Sequence, residues 1–190
     1  MSKTMTSTHP AGPVAQLVSA AKAALLPSAG EPHPPEPASP GSRRRDDALA
    51  VLTAARGVVG RGWVQRTWYV TETPAGRRPA RHRFLPGRLD HSQVTGACLV
   101  GAVLHGAWQQ SPRPEHAYPA IDALWLTLFD AGTPTGADPV GPLCPPLVRA
   151  ARVRDLTTWN DRDHRSREDV LRLLDRAAAR VTQPRPHVDA

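Results

Sequence analysis

The chain has 190 residues, with 24 Lys and Arg against 17 Asp and Glu, a formal charge of +7, and 40% apolar side chains, while aromatics make up only 5%. That length accommodates one domain of ordinary size behind a long tail, with a small core in which the tryptophans are the bulkiest parts. Two distant cysteines, Cys98 and Cys144, without a second Cys or His at ligand spacing, exclude a disulfide framework and a structural zinc site. No run approaches the ~20 apolar residues of a membrane span, and the N-terminus lacks an apolar leader core, so the expected home is the cytoplasm, with free thiols and no membrane contact.

Residues 1–42 are expected to be a disordered tail. Within it Val14, Leu17, Val18, Ala21 and Leu25 share one helical face between Pro13 and Pro27, predicting a short helix over 14–26 that is marginal alone. Residues 27–42 contain six prolines and almost no bulky apolar side chain, so they read as an extended linker. The domain is expected over 43–182, with 183–190 disordered.

Helical spacing of Ala48, Val51, Leu52, Ala55 and Val59 predicts a first helix over 46–59, stopped by Gly60 and Gly62. Residues 63–73 alternate Trp and β-branched side chains loosely and predict a short extended or β segment before the turn Pro74-Ala75-Gly76. Residues 76–89 read as a basic loop. Asp90 followed by Gln93 suggests a capping box for a second helix over 91–108, facing inward through Val94, Ala97, Cys98, Gly101, Leu104 and Trp108. Pro119 in a first turn and Ile121, Leu124, Trp125 and Leu128 predict a third helix, ended by Gly132. A Pro-rich loop over 132–146 and a short segment over 147–159 lead to a last helix, capped by Ser166 with Asp169 three residues on and facing inward through Val170, Leu174, Ala177 and Val181. The expected fold is mainly α: a small orthogonal bundle of about four helices with one short extended or β segment.

The order of certain segments resembles an uncharacterised family of small proteins from actinobacteria and their phages. The segments are Gly62-Trp63, Cys98-Leu99-x-Gly101-Ala102, Trp159-Asn160-Asp161, and the capped helix from Ser166 through Leu171 into Leu174-Asp175-Arg176-Ala177. The resemblance covers roughly 46–180 and implies a bacterial cytoplasmic domain without supplying an activity. The basic stretch at 76–89 and the N-terminal tail depart from the pattern.

Three groups of residues invite a chemical reading. Asn160, Asp161, Asp163 and His164 form the densest polar cluster: a carboxylate there could orient His164 as a general base, or the following helix start could hold an anion. Turn chemistry explains the same residues more simply, with Trp159 anchoring the turn, Asn160 and Asp161 bonding backbone and Ser166 capping. His91, His105 and His116 could meet Asp122 in space, but no ligand spacing supports a metal site, and neither Gly-x-Ser-x-Gly nor a P-loop occurs. No cofactor is expected, and an enzyme is disfavoured.

The third group is basic. Only Lys3 and Lys22 are lysines, and residues 61–113 hold eight arginines against Glu72 and Asp90. Arg66, Arg77, Arg78, Arg81, Arg83 and Arg88, with Trp68, Tyr69 and Phe84 among them, combine phosphate-binding cations with faces that could stack on bases. A solvated loop on an arginine-rich background is the plainer reading. The leading expectation is therefore a non-catalytic interaction or regulatory module with a protein partner, contacted through Val14, Leu17, Val18 and Leu25. The alternative is a nucleic-acid-binding accessory protein using 61–88.

Overall fold

The computed structural model describes residues 39–80, 90–129 and 144–183. The predicted N-terminal helix with Val14, Leu17, Val18 and Leu25, the linker up to residue 38, Arg81, Arg83, Arg88 and the C-terminal residues from 184 lie outside the described residues. Within them the protein is mainly helical, with five α-helices and a small antiparallel sheet.

Helix α1, Pro40–Arg61, begins inside the stretch that composition assigns to the linker. Ser39 caps it, its hydroxyl accepting from the Ser42 N–H at 3.2 Å, and Pro40 sits in the first turn, where a missing N–H costs nothing. Its face of Ala48, Val51, Leu52, Ala55, Val58 and Val59 is buried. Gly62 then continues in extended backbone (φ −172°). Glycine is required there for approach rather than conformation, because a Cβ would overlap the Thr95 carbonyl.

The expected extended segment narrows to β1, Tyr69–Thr73, paired antiparallel with β2, Gly76–Ala80, through Gly76 at φ +93°. The start of the predicted basic loop is thus an edge strand. β1 also pairs with β3, Val94–Ala97, giving the order β2-β1-β3.

β3 overturns the single helix predicted over 91–108. Asp90 does cap, but its carboxylate accepts from the Ser92 N–H (3.0 Å) and hydroxyl (2.6 Å), closing only a 3-10 turn, His91–Gln93. Val94, β-branched and opposite a β1 still lacking a partner on that side, then pairs with Thr71, and Gly96 and Ala97 pair with Val70 and Tyr69, leaving Thr95 as a bulge between them. Helix α2, Leu99–Gln110, starts afresh after Cys98, whose sulfur accepts from the Gly101 N–H at 3.3 Å. Two glycines of α2 allow close approach: Gly101 lets the Trp68 carbonyl through, and Gly106 lies against Val51 and Ala54 of α1.

A second 3-10 turn, Pro114–Ala117, leads into α3, Tyr118–Phe129, whose Ile121, Leu124 and Leu126 are buried. The segment read as short is a helix of 15 residues, α4, Pro146–Asn160, burying only Leu156, Trp159 and Asn160. Helix α5, Arg167–Thr182, has the predicted capping box between Ser166 and Asp169 and buries Val170, Leu173, Leu174, Ala177 and Val181. The core forms around α1, which lies against α2, α5 and α3.

Candidate functional site

Among the described residues, three polar centres interrupt the core. The first gathers the chain at Asn160, which is fully buried. Its Oδ1 accepts from the Trp63 indole at 2.9 Å and from the Leu99 N–H at 3.1 Å. Its Nδ2 donates to the Val64 carbonyl at 3.3 Å and to the Asp161 carboxylate at 2.8 Å. Leu99 opens α2, so its N–H is one of the orphan donors of a helix start, and Asn160 supplies the acceptor from 61 residues away. Gln65 donates to the carbonyls of Asn160 and Arg162, each at 2.9 Å. Asp161 also accepts from the Arg66 N–H at 2.9 Å, and the Arg66 guanidinium pairs with Asp163. These contacts hold Arg66 in left-handed backbone (φ 61°), a conformation costly for a residue with a side chain. Trp159 is buried, with Arg165 stacked 4.4 Å over its ring.

All four amide capacities of Asn160 are used, and Asp163 is committed to Arg66. Among the described residues no hydrogen bond joins His164 to Asp161 or Asp163.

The second centre lies between α3 and α4. Asp122, buried, accepts from Arg152 at 2.7 Å and from the Cys144 thiol at 3.5 Å. Arg152 also covers the Trp125 ring, whose indole donates to Asp155 at 3.1 Å, and Arg149 stacks 3.8 Å over Tyr118. Burial, and then the neighbouring Asp122 charge, push the Cys144 thiol up; burial first, with the Asp161 charge adding to it and the Gly101 N–H opposing, takes Cys98 to about 12. Neither is a thiolate nucleophile at neutral pH.

The third centre is a histidine pair. His91, on the turn before β3, and His105, on α2, are both buried, with their Nδ1 atoms 2.8 Å apart. The His91 ring lies flat on Trp108, centroids 3.8 Å apart and planes 6° from parallel, and His105 Nε2 is 3.0 Å from Gln109 Nε2. Burial, His91 and Arg61 lower the His105 pKa to about 4. Beside the pair is an open cleft of about 400 Å³ lined by Asp90, His91, Ser92, Trp108 and Gln109. Of the histidines weighed with Asp122, the structure brings these two together; neither His116 nor Asp122 hydrogen-bonds to them. No group of three or more ligating side chains occurs among the described residues.

The basic residues are split. Arg77 and Arg78 are exposed on β2, Arg66 faces Asp163, and Trp68 and Tyr69 are buried at 9% and 4% exposure. Neither aromatic presents a face on which a base could stack. Two contacts had no sequence signal: Arg152 with Asp122, because partners 30 residues apart leave no local pattern, and His91 with His105, because one assumed helix covered both. The spacing of His105, Trp108 and Gln109 did mark one face of α2.

Together these features define a mainly helical domain whose inner polar residues bind its own segments together, with a basic edge strand outside. The chain belongs to the family of unknown function DUF6197, which matches residues 43–180. No curated protein and no solved structure matches it. No described helix is long and apolar enough to cross a membrane.

Proposed function

We propose that this domain is a non-catalytic protein-interaction or regulatory module. The observation that carries the reading is the start of α4, where Leu147 is 85% and Val148 43% exposed on adjacent positions. Large apolar side chains grouped in water mark contact surfaces. Here they stand on a helix held in place by Arg152 on Asp122 and by Arg149 on Tyr118, so a partner would meet a preorganised face. The densest polar cluster, from Asn160 to Asp163, is consumed in internal hydrogen bonds, which supports a role other than catalysis. Val14, Leu17, Val18 and Leu25, outside the described residues, are the second set of residues assigned to the partner. The cytoplasm of an actinobacterial host is the setting that fits this arginine-rich chain.

The test is capture of partners from nuclease-treated lysate of the native host, using the full chain, Leu147→Glu with Val148→Glu, and a chain lacking residues 1–30. A partner held by the wild type and lost from the double variant supports the module. Equal capture by both excludes the α4 face. The alternative, nucleic-acid binding, retains Arg77 and Arg78 on an exposed strand, with Arg81, Arg83 and Arg88 outside the described residues. It predicts steep weakening with salt and loss on neutralising those arginines. Unaltered mobility of labelled DNA and RNA at low salt would remove it.

A further inference from the structure

We propose that His91 and His105 form a proton-operated latch: they hold the turn His91–Gln93 against α2 and keep one face of Trp108 covered, and acid opens it. Two imidazoles whose Nδ1 atoms face each other at 2.8 Å share one proton. With Gln109 donating to His105 Nε2, His105 carries its proton on Nδ1 and gives it to His91 Nδ1, leaving the His91 proton on Nε2. One added proton leaves the contact between the rings intact, because an imidazolium can still donate to a neutral ring, and the Gln109 amide turns so that its oxygen accepts from the newly protonated His105 Nε2. Two are not, since both Nδ1 atoms would then be donors of like charge pointed at each other. The ring that gives way is His91, which belongs to a three-residue turn, rather than His105, which is fixed in a helix of 12 residues. When His91 leaves, the Trp108 face it covers joins the cleft.

The surroundings set the direction. Arg61 of α1 adds positive charge, and the turn Pro114–Ala117 carries Glu115 and His116. On the other side, Asp90 is drawn to its own turn by Ser92. α2 and β3 contribute no charged side chain, β1 beside the turn carries Glu72, and α4 meets α2 at its far end, at Leu99. Histidine 105 has its pKa lowered in the closed form, so the closed form binds fewer protons than the open one. The latch is therefore at full strength above about pH 6.5 and weakens as the pH falls toward about 4. A lowering from 6.5 to about 4 corresponds to a change in the closed-to-open ratio of up to roughly 300-fold.

The test is nuclear magnetic resonance of the full chain with labelled histidine and tryptophan, titrated from pH 8 to pH 4. The expected result at pH 8 is the Nδ1–H form of His105 and the Nε2–H form of His91. On acidification the two should titrate together, and the Trp108 indole and Ser92 amide should change while the Trp159 and Trp63 indoles stay unshifted. His91→Ala should abolish the Trp108 transition, and His116→Ala should leave it in place. Independent titration of the two histidines, an unmoved Trp108, or a single transition shared by all the tryptophans would each overturn the latch. The wild-type titration alone decides among these outcomes if a variant fails to fold.

Discussion

Replacing Asn160 tests whether the junction between α4, residues 63–66 and α2 is what holds these segments together. Asn160→Ala removes an acceptor shared by the Trp63 indole and the Leu99 N–H, and a donor to the Val64 carbonyl and Asp161. Leu99 is fully buried, so its N–H has no access to water, and an unsatisfied buried donor costs ~1–3 kcal/mol. With a smaller cost for the half-buried Trp63 and the cavity left by the side chain, the loss should total about 3–5 kcal/mol, a fall of roughly 10 °C in Tm. Asn160→Asp separates hydrogen bonding from volume. It keeps Oδ1, but it turns the second oxygen toward the Val64 carbonyl and the Asp161 carboxylate, both acceptors. Burial and Asp161 then raise the pKa of the new carboxyl in the folded state above its unfolded value of about 3.9. A raised acid gives its full stability only below the unfolded pKa and loses it as the pH climbs through the folded one, so this variant should approach the wild type in acid and fall behind toward neutrality. Urea unfolding followed by tryptophan fluorescence at several pH values measures both. A loss below about 1 kcal/mol for Asn160→Ala, or a pH-independent deficit for Asn160→Asp, would refute the reasoning.

Two glycines should respond in opposite directions. A Cβ on Gly101 would enter the Trp68 carbonyl, so Gly101→Ala should cost about 3 kcal/mol or more, whereas Gly60→Ala, near the end of α1 with nothing within 4 Å, should gain ~0.5–1 kcal/mol; thermal unfolding of the two variants checks the sign. Ser166→Ala removes half of the capping box on α5 and should cost about 1 kcal/mol, seen as a lower urea midpoint at unchanged m-value.

What was legible in the chain was what repeats locally. The stripe of α5 and its cap lie within single turns, so Ser166, Asp169, Val170, Leu174 and Ala177 announce the helix without help from elsewhere. The same holds for the buried face of α1, although its first turn was hidden because Pro40 looks like linker until Ser39 is seen to cap it. The stretch 91–108 reads as one helix although it holds a turn, a strand and a helix, because its small residues suit a helix or a strand equally. The choice was made by β1, more than 20 residues earlier in the chain, whose Val70 lies opposite Gly96. A one-dimensional pattern does not contain that information.

The candidate centres show the same limit more sharply. Asn160 looks like a turn residue because Asn favours turns, yet three of its four partners lie 61 to 97 residues away, and what it caps is the start of a different helix. His91 and His105 are both visible in the sequence but carry no ligand spacing. The contact that joins them has no fixed spacing, because a strand and a helix start intervene. A buried polar side chain persists only where distant segments satisfy it, so its partners report tertiary structure that no window of sequence contains. In this domain the two kinds of centre divide by how much freedom their elements have. Asn160 joins α4 to the start of α2 and leaves no donor or acceptor unused, so any change there registers as lost stability. His91 sits on a three-residue turn, with one proton shared between two bases, so a change there can move a local element while the core of α1, α2 and α5 stays folded.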